Sequence, residues 1–209
     1  MSYGFLDIAT TEGVKAAQAA NGSRAHWEDF QGNRAFDRFT PAEADFIARR
    51  DSFYLASVSE TGWPYVQHRG GPAGFLRVLD DRTLGFADFR GNRQYITLGN
   101  LAGSDRVSLF LMDYAARARL KIFAHAEVRS LADDQALADR LAVPGYKARP
   151  ERAMILHLDA FDWNCSQHIT PRYTQAEIEG AFTAVRDRID VLEAENAALR
   201  EKLTAQGAR

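Results

Sequence analysis

The chain has 209 residues, 46% of them hydrophobic and 26% charged, with a formal net charge of −2 at pH 7. That supplies one sizeable core with an appendage, and the lack of a basic excess argues against general nucleic-acid binding. No apolar run approaches the roughly 18 residues of a membrane span, and the start, MSYGFLDIATTEGVKAAQ, lacks the basic and apolar regions of a secretion signal. The single cysteine, Cys165, excludes an internal disulfide and fits a cytoplasmic location.

In chain order, residues 1–40 form a mixed N-terminal extension with a weak helical patch near Gly13 to Ala20 and the aromatic, polar stretch HWEDFQGNRAFDRF. A helix is predicted from Thr40, which can cap it. Pro41 suits the first helical position, and Glu43 completes a capping box before Phe46 and Ile47. Strand signals follow. Ser52 to Val58 and Trp63 to His68 flank the turn Glu60-Thr61-Gly62, and Phe75 to Leu79 and Thr83 to Ala87 flank Asp80-Asp81. Val107 to Met112, Leu120 to Val128 and Ala153 to Phe161 also read as strands, with a helix over residues 133–142. Some five or six antiparallel strands at this spacing predict a mainly β barrel or curled sheet, spanning 41–173.

From Thr174 the pattern changes. Thr174 and Glu177 form a second capping box, and Ile178, Val185, Leu192 and Leu199 recur every seven residues. Phe182, Ile189, Asn196 and Leu203 fill the other seam. Residues 174–209 therefore read as a long helix, either lying on its own domain or forming a parallel homodimeric coiled coil. The flanking charges agree with the coil, since Arg188 would face Glu193 of a second copy and Glu195 would face Arg200.

Three segments carry chemistry. His68-Arg69-Gly70-Gly71-Pro72 ends a strand with a guanidinium fork and two glycines that allow close backbone approach to a ligand. FADFRGNRQYITLGNL, residues 86–101, runs from strand to helix. A helix starting near Gly91 or Asn92 would aim free N–H groups at an anion, with Arg90 and Arg93 adding charge. Such converging donors suit a phosphate monoester. The third segment, WNCSQHITPRY, is a loop dense in hydrogen-bonding side chains after the last strand. His68, His125, His157 and His168 lack metal-ligand spacing, so no metal is expected.

The strand order, the strand-end arginine, the FADFRGNRQYITLGNL junction and the strand opening Arg106-Val-Ser-Leu-Phe-Leu together resemble the pyridoxamine 5′-phosphate oxidase-like family of FMN-binding split barrels over residues of about 40 to 165. The WNCSQHITPRY loop is similar to a branch other than the vitamin B6 oxidase itself. The resemblance implies a Greek-key-like antiparallel split barrel, a homodimer with FMN at the subunit interface and a small-molecule substrate. It also implies that Asn92 and Arg93 hold the flavin phosphate, with Gln94 standing where the oxidases usually have lysine. Arg69, with Gly70 beside it, would lie near the phosphate or ribityl chain. Phe86, Ala87 and Asp88 would back the ring, Lys121 would reach the flavin, often across the dimer interface, and Trp163 and Gln167 would close over it. His168, Arg172 and Tyr173 are substrate candidates, at a spacing unlike that of the B6 oxidases. An FMN-dependent oxidoreductase is thus expected. A non-catalytic flavin-binding or redox-sensing module with a coiled-coil partner, or a split barrel holding haem or a deazaflavin, is the alternative.

Overall fold

The computed structural model describes residues 4–28, 37–163 and 166–207, and seven of its segments are strands of one antiparallel sheet. These are β1 (Ser52–Val58), β2 (Pro64–Gly70), β3 (Arg77–Asp80), β4 (Thr83–Phe89), β5 (Arg106–Asp113), β6 (Ala118–Arg129) and β7 (Pro150–Trp163). The order across the sheet is β2-β1-β5-β6-β7-β4-β3, so the sheet is not closed and β2 and β3 are its edges. Each of the seven segments with strand signals supplies one strand, so the count exceeds the expected five or six. The helices are α1 (Phe5–Ala9), α2 (Glu12–Ala20), α3 (Arg24–Glu28), α4 (Pro41–Ala48), α5 (Ile96–Gly103), α6 (Gln135–Leu141) and α7 (Gln175–Gly207). Among the described residues, no helix is long and apolar enough to cross a membrane. Residues 29–36, part of the HWEDFQGNRAFDRF stretch, lie outside the described residues.

The first hairpin forms as its sequence dictates. Gly62 takes φ +86°, a left-handed conformation costly for side chains, and its N–H donates to Ser59 O at 2.8 Å. The core between sheet and helices holds Ile47, Phe53, Leu55, Phe75, Phe86, Leu109, Leu111, Leu120, Ile122, Leu156 and Phe161, all buried. Ala87, Leu137, Leu141, Ala153 and Ile155 form a second cluster under α6.

Two polar ties fix the helices beside the strands. In α4 the predicted capping box is present. The Glu43 carboxylate accepts from Thr40 N–H at 2.9 Å, and its other oxygen accepts from Trp163 Nε1 at 2.8 Å. On α5, Asn100 Nδ2 donates to Ser57 Oγ of β1 at 2.9 Å, with both residues buried. Replacing Asn100 by Ala would leave the Ser57 hydroxyl buried without this partner. Denaturant unfolding should show a loss of about 1–2 kcal/mol for Asn100→Ala.

Residues 114–116 and 170–209 group as a second compact unit. Its main element is α7, begun by the second predicted capping box, in which Glu177 Oε2 accepts from Thr174 N–H at 2.7 Å and Oγ1 at 2.9 Å. Ile178, Phe182, Val185, Ile189, Leu192, Leu199 and Leu203 are exposed along this helix.

Candidate anion-binding site

Alternation along β2 puts Tyr65, Gln67 and Arg69 on one face, and these three line a polar cavity of about 180 Å³. β4 adds Asp88, the loop after it adds residues 91–95, and β7 adds Glu151, Arg152 and Met154. The β4·β7 pairing shifts register here. Asp88 opposes Arg152 but Phe89 opposes Pro150, leaving Glu151 as the extra residue of a bulge. That bulge brings two charged residues to the cavity side by side.

The loop departs from the predicted helix start. The helix begins at Ile96, not at Gly91 or Asn92. Asn92 Oδ1 accepts from Gln94 N–H at 3.1 Å, a local turn that competes with helix. Arg93 and Tyr95 take φ +65° and +54°, outside the right-handed helical region. The Tyr95 hydroxyl bonds the Glu151 carboxylate at 3.2 Å, and the Arg152 guanidinium lies 5.0 Å from the Tyr95 ring centroid. These contacts hold a strained loop in place. Arg90 is exposed, does not line the cavity and lies 3.8 Å from Glu151.

Arg69, Asp88, Glu151 and Arg152 are largely buried at the site, whereas Arg93 is exposed. Arg69 Nη1 donates to Asp88 Oδ1 at 2.7 Å, and Arg152 Nη1 lies 3.7 Å from Asp88 Oδ2. Arg152 Nη2 donates to Glu151 Oε2 at 2.9 Å. Burial pushes the Asp88 carboxyl above its ordinary range, with Arg69 and Arg152 opposing that rise and Glu151 adding to it. Three lining arginines, Arg69, Arg93 and Arg152, face two lining carboxylates, Asp88 and Glu151. Among the described residues, Arg69 Nε and Arg152 Nη1 are buried with no hydrogen-bond partner. Surplus positive charge and orphaned donors are what an anionic group of a ligand would satisfy, so these residues fit a phosphate.

Of the predicted residues, Arg69, Asp88, Asn92, Arg93 and Gln94 meet at this cavity. Gly70 does not line it. The room beside it is taken by His68, and a Cβ on Gly71 would lie 2.8 Å from Phe75, so packing rather than ligand approach explains these glycines. Phe86 and Ala87 belong to the two core clusters. Lys121 pairs with Asp162 at 2.6 Å and lies 4.7 Å from the Phe5 ring centroid. Trp163 is engaged by Glu43 and packs edge-on against Phe46. Gln167 and His168 are exposed in a turn, with His168 at φ +62°. In the second unit Tyr173 is exposed and the Arg172 guanidinium lies 5.0 Å from the Tyr114 ring centroid. Asn164 and Cys165 of the same predicted loop lie outside the described residues. No group of three or more potential metal ligands occurs among the described residues.

Tyr65, Gln67, Tyr95, Glu151 and Arg152 were not anticipated. The period of two from Arg69 would have found Tyr65 and Gln67. Nothing local marks Glu151 and Arg152.

The family model described as pyridoxamine 5′-phosphate oxidase matches residues 39–164, more than half of the chain. The chain belongs to the pyridoxamine 5′-phosphate oxidase family. Its matched region starts just before α4 and ends just after β7, so the open seven-stranded sheet is the split barrel of this family. No curated protein matches the chain. Solved structures similar to it include a putative pyridoxamine 5′-phosphate oxidase from Lactobacillus delbrueckii, with 21% identity, TM-score 0.47, and 61% of this chain and 96% of that one covered. HupZ from Group A Streptococcus has 16% identity and TM-score 0.45, covering 65% and 99%. An FMN-binding protein from Syntrophomonas wolfei has 14% identity and TM-score 0.44, covering 70% and 97%.

Proposed function

We propose that the cavity holds the phosphate of FMN and that the chain is an FMN-dependent oxidoreductase acting on a small-molecule substrate. The carrying observation is the set of orphaned donors on Arg69 and Arg152 in a cavity with surplus positive charge. Membership of the pyridoxamine 5′-phosphate oxidase family supports the choice of a flavin. When bound, FMN supplies the hydride or electron transfer. Arg69, Arg93 and Arg152 bind the anion, Asn92 fixes the turn that presents Arg93, and Tyr95 and Glu151 hold that turn in place.

At about 180 Å³ the cavity is smaller than the roughly 300–1,000 Å³ of small-molecule pockets. It suits the phosphate end, leaving the ring to lie outside it. We therefore place the ring at the interface of a homodimer. The exposed Tyr54, Val58, Trp63 and Val66 of the β1–β2 hairpin offer apolar surface for a second copy, and Lys121, remote from its own cavity, is suited to the partner's flavin. The exposed seam of α7 fits a parallel coiled coil, with Asn196 fixing its register. The working division is an extension over 1–40, a flavin domain over 41–173 and the coil over 174–209. A cytoplasmic location agrees with the single cysteine.

The purified protein should be yellow, release FMN on denaturation and bleach on anaerobic addition of NADH or NADPH. A colourless protein that ignores added FMN would sink the reading, and a yellow one that no nicotinamide reduces would favour a passive binder. Replacing Arg93 by Ala should weaken FMN binding by about 1.5–3 kcal/mol in a fluorescence titration.

A further inference from the structure

Asp88 stands where an external anion would go. Its carboxylate is the counter-charge of both Arg69, at 2.7 Å, and Arg152, at 3.7 Å, and only 12% of its side chain is exposed. A phosphate that engages the free Arg69 Nε or Arg152 Nη1 sits on the same two guanidinium groups that Asp88 neutralises, and so competes with its carboxylate for them. We propose that Asp88 is a resident counter-anion which an incoming phosphate ester displaces, so that ligand binding is coupled to uptake of one proton by the Asp88 carboxylate. This inference rests on the reading of the cavity as a phosphate site.

The groups facing Asp88 favour that coupling. From β2 come Arg69 and Tyr65, whose hydroxyl is engaged by Gln67. From β7 come Arg152 and Glu151, and from the loop Arg93 and Tyr95. Arg152 and Tyr95 are shared with Glu151, so the cations near Asp88 are already partly neutralised. A phosphate brings a charge of about −1.5 to −2 beside it. Like charges in a poorly solvated place disfavour double ionisation, and burial already favours the neutral carboxyl. Protonation also turns Asp88 from acceptor to donor, so its new O–H can point at a phosphate oxygen. The proton comes from solvent, no covalent bond changes, and the two guanidinium groups exchange an internal anion for an external one.

The sign is fixed by linkage. A bound phosphate raises the Asp88 pKa further, so FMN affinity gains from falling pH between the free-state and bound-state values of that carboxyl. The phosphate itself works the other way, because arginine prefers its dianion and binding below its second ionisation, near about pH 6, releases a proton. Comparison with Asp88→Asn separates the two. Asparagine keeps the volume and can still accept from Arg69, so the fold should survive.

The test is calorimetric titration of FMN and riboflavin into wild type and Asp88→Asn at mildly acidic pH, in two buffers of different ionisation enthalpy. Wild type should take up more protons per FMN than the variant. Asp88→Asn should bind FMN about tenfold tighter, equivalent to one pKa unit of coupling, with riboflavin affinity unchanged. Equal proton counts and equal FMN affinity in the two proteins would overturn the inference while leaving the phosphate site standing. Failure of wild type to bind FMN at all would overturn the site and the inference together.

Discussion

Arg69→Ala should lose both fold stability and FMN, and the two losses should be separable. The Arg69–Asp88 pair is largely buried, with side-chain exposures of 19% and 12%. Removing the arginine leaves Asp88 with Arg152 at 3.7 Å as its nearest cation. Breaking a buried pair from one side costs about 3–5 kcal/mol, because a desolvated charge loses its partner. Denaturant unfolding of Arg69→Ala should register that loss. Adding Asp88→Asn should restore most of it, since the stranded charge is then gone. FMN affinity should behave differently. In the proposed phosphate site the guanidinium fork would give charged hydrogen bonds to the ligand, so Arg69→Ala should bind about 10- to 100-fold more weakly. The double variant should still bind more weakly than Asp88→Asn alone. Arg69→Lys keeps the charge without the fork and should fall between. Wild-type FMN affinity in Arg69→Ala would remove Arg69 from the site.

Glu43→Ala is expected to be the second most damaging change, although Glu43 does not line the cavity. One carboxylate closes the N-terminus of α4 and also satisfies the Trp163 indole at the end of β7. Alanine forfeits the reciprocal half of the capping box and leaves the part-buried Trp163 N–H without its acceptor. The two effects together should cost about 2–4 kcal/mol. Trp163 also packs edge-on against Phe46, so its fluorescence should report the loosening. The pH dependence has a definite sign. Burial opposes ionisation of Glu43, but hydrogen bonds from Thr40 and Trp163 outweigh it and hold the carboxyl below its ordinary range. A depressed carboxyl contributes stability that is present above the unfolded value and is lost as pH falls through the folded one. Wild type should therefore lose stability in acid faster than Glu43→Gln, whose neutral amide keeps an acceptor. Parallel acid profiles would show that the Glu43 charge contributes nothing.

What the sequence revealed depended on how local the physics was. Both capping boxes, Thr40 with Glu43 and Thr174 with Glu177, were legible because three residues contain the whole interaction. The first hairpin was legible because Gly62 answers a backbone requirement at one position. The junction after β4 was read correctly as a polar concentration but wrongly as a helix start, since the Asn92 side chain bonds the backbone two residues on and closes a turn instead. Gly70 and Gly71 looked like a ligand approach, yet the space beside Gly71 belongs to Phe75, a contact set by how the chain turns back after β2. Glu151 and Arg152 had no local signature. They reach Asp88 only because β7 pairs with β4 across more than sixty intervening residues, with a bulge at that point of the register. The family resemblance put Trp163 over the flavin ring, and no local pattern showed that its indole N–H would be taken by a carboxylate from a helix far back in the chain.

Recognition of the FMN phosphate by the cavity between β2, β4 and β7 is tested by equilibrium titration of the apoprotein with FMN and with riboflavin, which lacks only that phosphate. FMN should bind more than about 100-fold tighter, because Arg69 and Arg93 are each expected to give roughly 1.5–3 kcal/mol of charged hydrogen bonding, and Arg69→Ala should remove about 10- to 100-fold of that difference. Equal affinity for the two flavins, or binding of neither, would contradict the account.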